Sequence, residues 1–208
     1  MKQLMIDIET YSDIDISDAG AFKYAQSSAF EILLFAYKLD DEETKIVDLK
    51  KGEKIPNDVL AALKNPEYIK KAYNAAFEWY CMSCAGIYTP LEQWECTMVH
   101  ALYNGYPSGL AATGNAIGLP EDKKKMSVGK ALIRYFCMPC KATKSNGGRT
   151  RNLPHHEPEK WELFKTYCIQ DVEAEYAIDL RLADFPMPDD EWNRWHRDTR
   201  MQALGVKL

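Results

Sequence analysis

Hydrophobic and polar positions alternate at the start of the chain. Leu4-Met5-Ile6-Asp7-Ile8-Glu9-Thr10 reads as a β-strand with Asp7 and Glu9 on one face and Ile6 and Ile8 on the other. Residues 11–30 are rich in Ser, Asp, Ala and Gly and predict a long loop with a short helical turn around 19–25. Residues 31–39 and 45–49 predict two strands, joined by an Asp40-Asp41-Glu42-Glu43 turn. A short helix is expected over 57–64, after Pro56 and with Asn57 as its cap, followed by a strand over 68–73 and a helix over 75–87. The remainder is helical in pattern, with segments at 97–103, 108–117 and 127–137. Residues 138–156 have no apolar period and read as a flexible basic loop. The longest helix is expected over 157–182, with Pro158 in its first turn, where a missing N–H costs little. A further amphipathic helix is expected over 189–203, carrying Trp192 and Trp195.

Composition narrows the class. The 208 residues are 46% apolar and 27% charged, which fits an ordinary globular domain. No apolar run reaches the roughly 18 residues of a membrane span. The N-terminus enters a strand directly and does not read as a signal peptide, so a cytoplasmic location and reduced cysteines are expected. A net charge of −5 excludes a protein coated in basic residues. It leaves nucleic acid open as a partner, because bound cations and local basic loops reverse the sign at a site.

Three constellations carry candidate chemistry. Asp7 and Glu9 stand side by side on the first strand, an arrangement that suits a hard divalent ion held by carboxylate oxygen. Asn74 and Glu78 lie where a strand ends and a helix begins, the edge at which α/β sheets tend to form sites; their structural alternative is a helix cap and a dipole-complementing glutamate. Tyr167 and Asp171 are four apart and share one face of the long helix. Cys81-x-x-Cys84 and Cys137-x-x-Cys140 form a competing set of four thiols that could hold structural zinc, although 52 residues separate the pairs.

Asp7-x-Glu9, Asn74-x-x-x-Glu78 and Tyr167-x-x-x-Asp171, in this order, resemble the DEDDy branch of the DEDD 3′–5′ exonucleases. The resemblance is to the proofreading domain of phage and prophage family A (DNA polymerase I-like) DNA polymerases, and it covers essentially the whole chain. Cys96-Thr97-Met98 resembles the segment after the second motif, where Asp-Thr-Met is common. The Gly129 to Cys137 helix and the Arg149 to His156 loop are similar to the phage-type version.

The resemblance implies a ribonuclease H-like fold, a mixed five-stranded sheet flanked by helices. It also implies phosphodiester hydrolysis with two Mg2+ or Mn2+ ions about 3.5–4 Å apart. Asp7 would bridge the ions, Glu9 and Asp171 would hold the one bearing the attacking water, Tyr167 would orient that water, and Glu78 would hold the second ion. The commoner residue at Glu78 is Asp, so the longer side chain shifts its carboxylate by roughly 1.5 Å if extended. The substrate would be a single-stranded or frayed DNA 3′ end, with Thr10, Tyr11, Asn74 and Phe77 as its contacts; core packing is the alternative for Phe77. The loop holding Lys141, Lys144, Arg149 and Arg151 could neutralise phosphates. RNA trimming by the same chemistry, and a catalytically weak binding or scaffold domain of a polymerase, are the competing readings. Residues 1–185 are expected to form the nuclease domain. Residues 186–208 resemble the link to a polymerase domain; in a domain excised from such a protein, Trp192 and Trp195 could form an exposed apolar patch or a dimer contact.

Overall fold

The computed structural model describes residues 2–120 and 128–205. Its strands β1 (Lys2–Tyr11), β2 (Glu31–Leu39), β3 (Lys45–Val47), β4 (Tyr68–Ala72) and β5 (Trp94–Cys96) form one sheet in the order β3-β2-β1-β4-β5. β1 runs antiparallel to β2 and parallel to β4; β2 and β3 are antiparallel, β4 and β5 parallel. Around the sheet lie α1 (Ile16–Ala25), α2 (Asn57–Lys64), α3 (Ala75–Cys84), α4 (Thr97–Tyr103), α5 (Leu110–Ala116), α6 (Gly129–Phe136), α7 (Pro158–Leu182) and α8 (Asp189–Leu204). This is the mixed, helix-flanked α/β sheet of the ribonuclease H-like class.

β1 is the middle strand, and both its faces are buried. Leu4, Ile6 and Ile8 pack with Val59 and Leu63 of α2 and with Cys81 and Met82 of α3. Met5 and Tyr11 pack on the opposite side with Leu132 and Phe136 of α6 and with Trp161, Phe164 and Tyr167 of α7. The two-residue period of the strand therefore carries Asp7 and Glu9 to the α7 side. The β1–β2 register shifts between Glu9 and Thr10, where Leu33 is the extra residue on β2. Such a bulge bends the strand and re-aims its side chains, and here it falls at the second acid.

α7 starts at Pro158, as expected, and buries a stripe from Trp161 through Phe164, Tyr167, Cys168, Asp171, Val172 and Glu175 to Leu182. The steps of three and four keep this stripe on one face. Polar contacts fix the helix along its length. Trp161 Nε1 donates to Asp48 Oδ2 at 2.7 Å, Lys38 Nζ lies 3.2 Å from Glu173, Thr97 Oγ1 donates to Glu175 at 2.7 Å, and Lys71 Nζ lies 2.8 Å from Asp179. These anchors tie α7 to β2, β4 and the turns after β3 and β5, so its register against β1 is specified at several levels.

Several expectations are corrected. Residues 16–25 are helical, capped by Asp15, which accepts from Ser17 N at 2.8 Å; Gly20, at φ +77°, breaks the helix into two short pieces. β5 is only three residues long and has too little alternation to stand out in the sequence. Asn57 is the first residue of α2 rather than its cap, a position held by Pro56 without a side-chain bond. Residues 138–156 have little regular structure but are tied together. Asn146 Oδ1 accepts from Thr143 N at 3.0 Å and Gly148 N at 3.1 Å, Arg149 Nε donates to Asn152 Oδ1 at 2.8 Å, and Cys140 N donates to Thr150 O at 2.7 Å. Trp192 and Trp195 do not form an open patch; they are half-buried against the β4–β5 side of the core, and His196 Nε2 bonds Trp94 O at 2.8 Å. α8 thus covers the β5 edge. The Lys123-Lys124-Lys125 run lies outside the described residues. No helix among the described residues is long and apolar enough to cross a membrane.

Lys70 on β4 is fully buried, its Nζ donating to Asn65 O, Tyr68 O and Gln93 Oε1 at 2.6–3.0 Å. Burial lowers its pKa to about 8. Between that value and an unfolded value of about 10.4, the unfolded chain holds the proton that the folded chain has released, so stability rises with pH across this window and falls as pH drops through it. Urea denaturation below and within the window is expected to show this increment in the wild type and not in Lys70→Met; an identical pH dependence in both proteins would contradict it.

Candidate active site

The expected acids converge where the C-terminal end of β1 meets α3 and α7. Glu9, Glu78, Tyr167 and Asp171 are buried and Asp7 is half-buried. Glu78 reaches the cluster from the first turn of α3. Its carboxyl is pushed well above the usual range, first by burial and then by the charges of Asp7 and Glu175. The Tyr167 phenol is pushed up strongly by burial, then by Asp171, Glu9 and Asp7, and it shares a hydrogen bond with Asp171. It therefore stays protonated at any physiological pH. One oxygen of Glu78, Oε2, is buried without a hydrogen-bond partner among the described residues. Leaving such a group unpaired costs about 1–3 kcal/mol.

Two thiols reach the same acids. Cys168 Sγ lies 3.2 Å from Asp7 Oδ2, and Cys137 Sγ lies 3.8 Å from Glu9 Oε2. Potential ligand atoms of Asp7, Glu9 and Cys168 all lie within 4.8 Å of one another. The two CxxC pairs do not assemble: Cys81 is buried and Cys84 exposed on α3, while Cys140 bonds Arg149 O, and no four-thiol group occurs among the described residues.

A cavity of about 470 Å³ opens beside Glu9, lined by Thr10, Tyr24, Phe77, Ile133 and Cys137 among others. Its size falls within the range of small-ligand sites. Thr10 and Phe77 both line it: Thr10 Oγ1 hydrogen-bonds Tyr24 Oη at 2.9 Å, and the Phe77 ring lies 6.2 Å from that of Tyr24. Tyr11 does not line the cavity; its ring lies under the Arg151 guanidinium at 3.5 Å, and Arg151 pairs with Glu31. Asn74 occupies the cap position of α3 without capping it, and is exposed. The sequence does not single out Tyr24, Cys168 or Glu175, and it marks Cys137 only as a possible zinc thiol. Glu175 could have been read from its place four residues after Asp171, one turn along the same face. Tyr24 and Cys168 carry no local signal.

Gly129 on α6 is fixed by Tyr167. A Cβ there would meet the ring at 2.1 Å from Cε2 and 2.5 Å from Cζ. The ring is buried and cannot swing aside, so Gly129→Ala is expected to destabilise by roughly 1–3 kcal/mol through overpacking. Urea denaturation measures this; stability equal to wild type would mean that the α6–α7 contact is looser than described.

No family model matches the chain. Over 209 aligned residues it is 48% identical to a DNA polymerase of Bacillus phage SP02, in a match that takes in all of this chain and 32% of that protein. The chain thus spans about a third of the length of the curated relative it matches. Among solved structures, one described as the apo form of a nuclease matches with a TM-score of 0.50 at 13% identity, covering 97% of this chain and 81% of the other. At that identity the likeness establishes a shared fold: the chain carries the α/β fold of a nuclease and is similar in sequence, end to end, to part of a phage DNA polymerase.

Proposed function

We propose that the chain is a metal-dependent 3′–5′ exonuclease acting on single-stranded or frayed DNA ends, with a proofreading role beside a DNA polymerase in the host cytoplasm. The observation that carries this reading is the convergence of Asp171, Glu9 and Asp7 around Tyr167, with Glu78 under the charge of Asp7 and its Oε2 buried without a partner among the described residues. Buried like charges of this kind call for a cation. The donor set is carboxylate oxygen, which fits Mg2+ or Mn2+. Asp7, Glu9, Glu78 and Asp171 would hold such ions, two in the DEDDy arrangement. Bound there, they would offset the phosphate's charge and supply Lewis-acid activation at about neutral pH.

The chain's own residues have separable tasks. Tyr167, held protonated with its one O–H on Asp171, accepts a hydrogen bond from the attacking water and so orients it; it is no base at neutral pH. Asp171 and the Gly129 contact fix the phenol in place. The cavity beside Glu9 takes the terminal nucleoside, with Phe77 against the base and Thr10 within reach of the sugar. Asn74, whose side chain is not spent on capping, contacts the same nucleotide from the α3 side. Tyr11 contributes by seating Arg151, a cation placed to meet the next phosphate.

Digestion of end-labelled single-stranded DNA and RNA with Mn2+, Mg2+ or a chelator tests the proposal. Stepwise loss from the 3′ end of DNA is expected, abolished by chelation and lowered at least about 100-fold by Asp7→Ala. Preference for RNA, or binding without turnover in either metal, would overturn it. Glu78→Asp is expected to hold activity within about tenfold or raise it, because the charge is kept and the reach shortened; complete loss would mean that the site is built around the longer side chain.

A further inference from the structure

Cys168 is a buried group at the acid cluster that the proposed chemistry does not use. It follows Tyr167 on α7, and its Sγ lies 3.2 Å from Asp7 Oδ2 and 3.8 Å from Asp7 O. Two ligands of one zinc-like ion, at about 2.3 Å for sulfur and about 2.0–2.2 Å for oxygen, stand roughly 3–4.5 Å apart. The Cys168–Asp7 pair, at 3.2 Å, falls in that range, and the ligand atoms of Asp7, Glu9 and Cys168 all lie within 4.8 Å of one another. A second observation adjoins this group: Glu78, whose carboxyl is under the charge of Asp7, has its Oε2 buried and without a hydrogen-bond partner among the described residues.

We propose that Asp7, Glu9 and Cys168 form a site for a thiophilic divalent cation such as Zn2+ or Cd2+, in competition with the hard ions of the proposed reaction. The proposal rests on the cation-site reading above but not on turnover. Thiolate selects soft ions and oxygen selects hard ones. With Mg2+ or Mn2+, Cys168 stays a thiol and donates to Asp7, acting as a positioning residue. With a soft ion, Cys–SH gives up its proton to solvent and a sulfur–metal bond forms; no electron is transferred. The soft ion then occupies carboxylate oxygens of Asp7 and Glu9, so the two classes of ion exclude each other.

The experiment is a Cd2+ titration of the whole chain, followed by the ultraviolet thiolate-to-cadmium charge-transfer band. A band saturating at one equivalent is expected in the wild type. It should be retained in Cys84→Ser, whose thiol is exposed and remote, and cadmium affinity should drop about tenfold or more in Cys168→Ser, with loss of the band. In the wild type itself, excess Mn2+ should suppress the band, because both ions need the same carboxylates; this arm does not depend on any variant folding. A band unchanged in folded Cys168→Ser, indifference to Mn2+, or no band in the wild type would overturn the proposal. The spectrum is read without substrate, so a cadmium band in a protein that does not cleave DNA would sink the exonuclease reading alone. The reverse result would sink the soft-metal site alone.

Discussion

Repulsion among closely placed, largely buried carboxylates governs how this fold is built. Asp7 and Glu9 come from the central strand, Glu78 from the start of α3, and Asp171 from the middle of α7. Burial and like charge both oppose ionisation, and both act on Glu78. A fold that holds such groups together gives up stability unless a counter-ion joins them. The surrounding scaffold resists the repulsion. β1 is buried on both faces, and α7 is anchored to the sheet and its turns through Asp48, Lys38, Thr97 and Lys71.

The same scaffold explains the division of labour around the cluster. The β1–β2 bulge and the entry into α3 leave a cavity beside Glu9 lined by apolar and aromatic groups. The charged centre is therefore flanked by a surface suited to a flat, uncharged ring. Arg151 is stacked on Tyr11 and paired with Glu31. Acid, cavity and cation thus attach to the end of β1 through the successive residues Glu9, Thr10 and Tyr11.

Much of this was legible in the sequence, for reasons that differ by element. β1 was legible because alternation survives in it, and α7 because 25 residues give its stripe several turns in which to repeat. Asp7, Glu9, Glu78, Tyr167 and Asp171 were legible as ordered spacings, and the fold brings them together. β5 was not, since three residues carry no period, and α1 was hidden by the break at Gly20. Cys168 falls on the apolar stripe of its helix and Cys137 stood out only as a possible zinc thiol; the packing of α6 and α7 against β1 puts their sulfurs beside Asp7 and Glu9. Gly129 carries no local signal either, because its need to be glycine comes from Tyr167, 38 positions away in the chain.

The most direct test of the central claim is thermal unfolding with chelator and with saturating Mn2+, for the wild type and Asp7→Asn. An ion bound only by the folded state at about 100 times its dissociation constant stabilises by about 2.7 kcal/mol, which for a chain of this size raises Tm by roughly 5–10 °C. That rise is expected in the wild type, and little of it in Asp7→Asn, which lacks one of the carboxylates that would hold the ion. A wild type indifferent to Mn2+, or an Asp7→Asn variant that gains as much as the wild type, would mean that the cluster holds no cation.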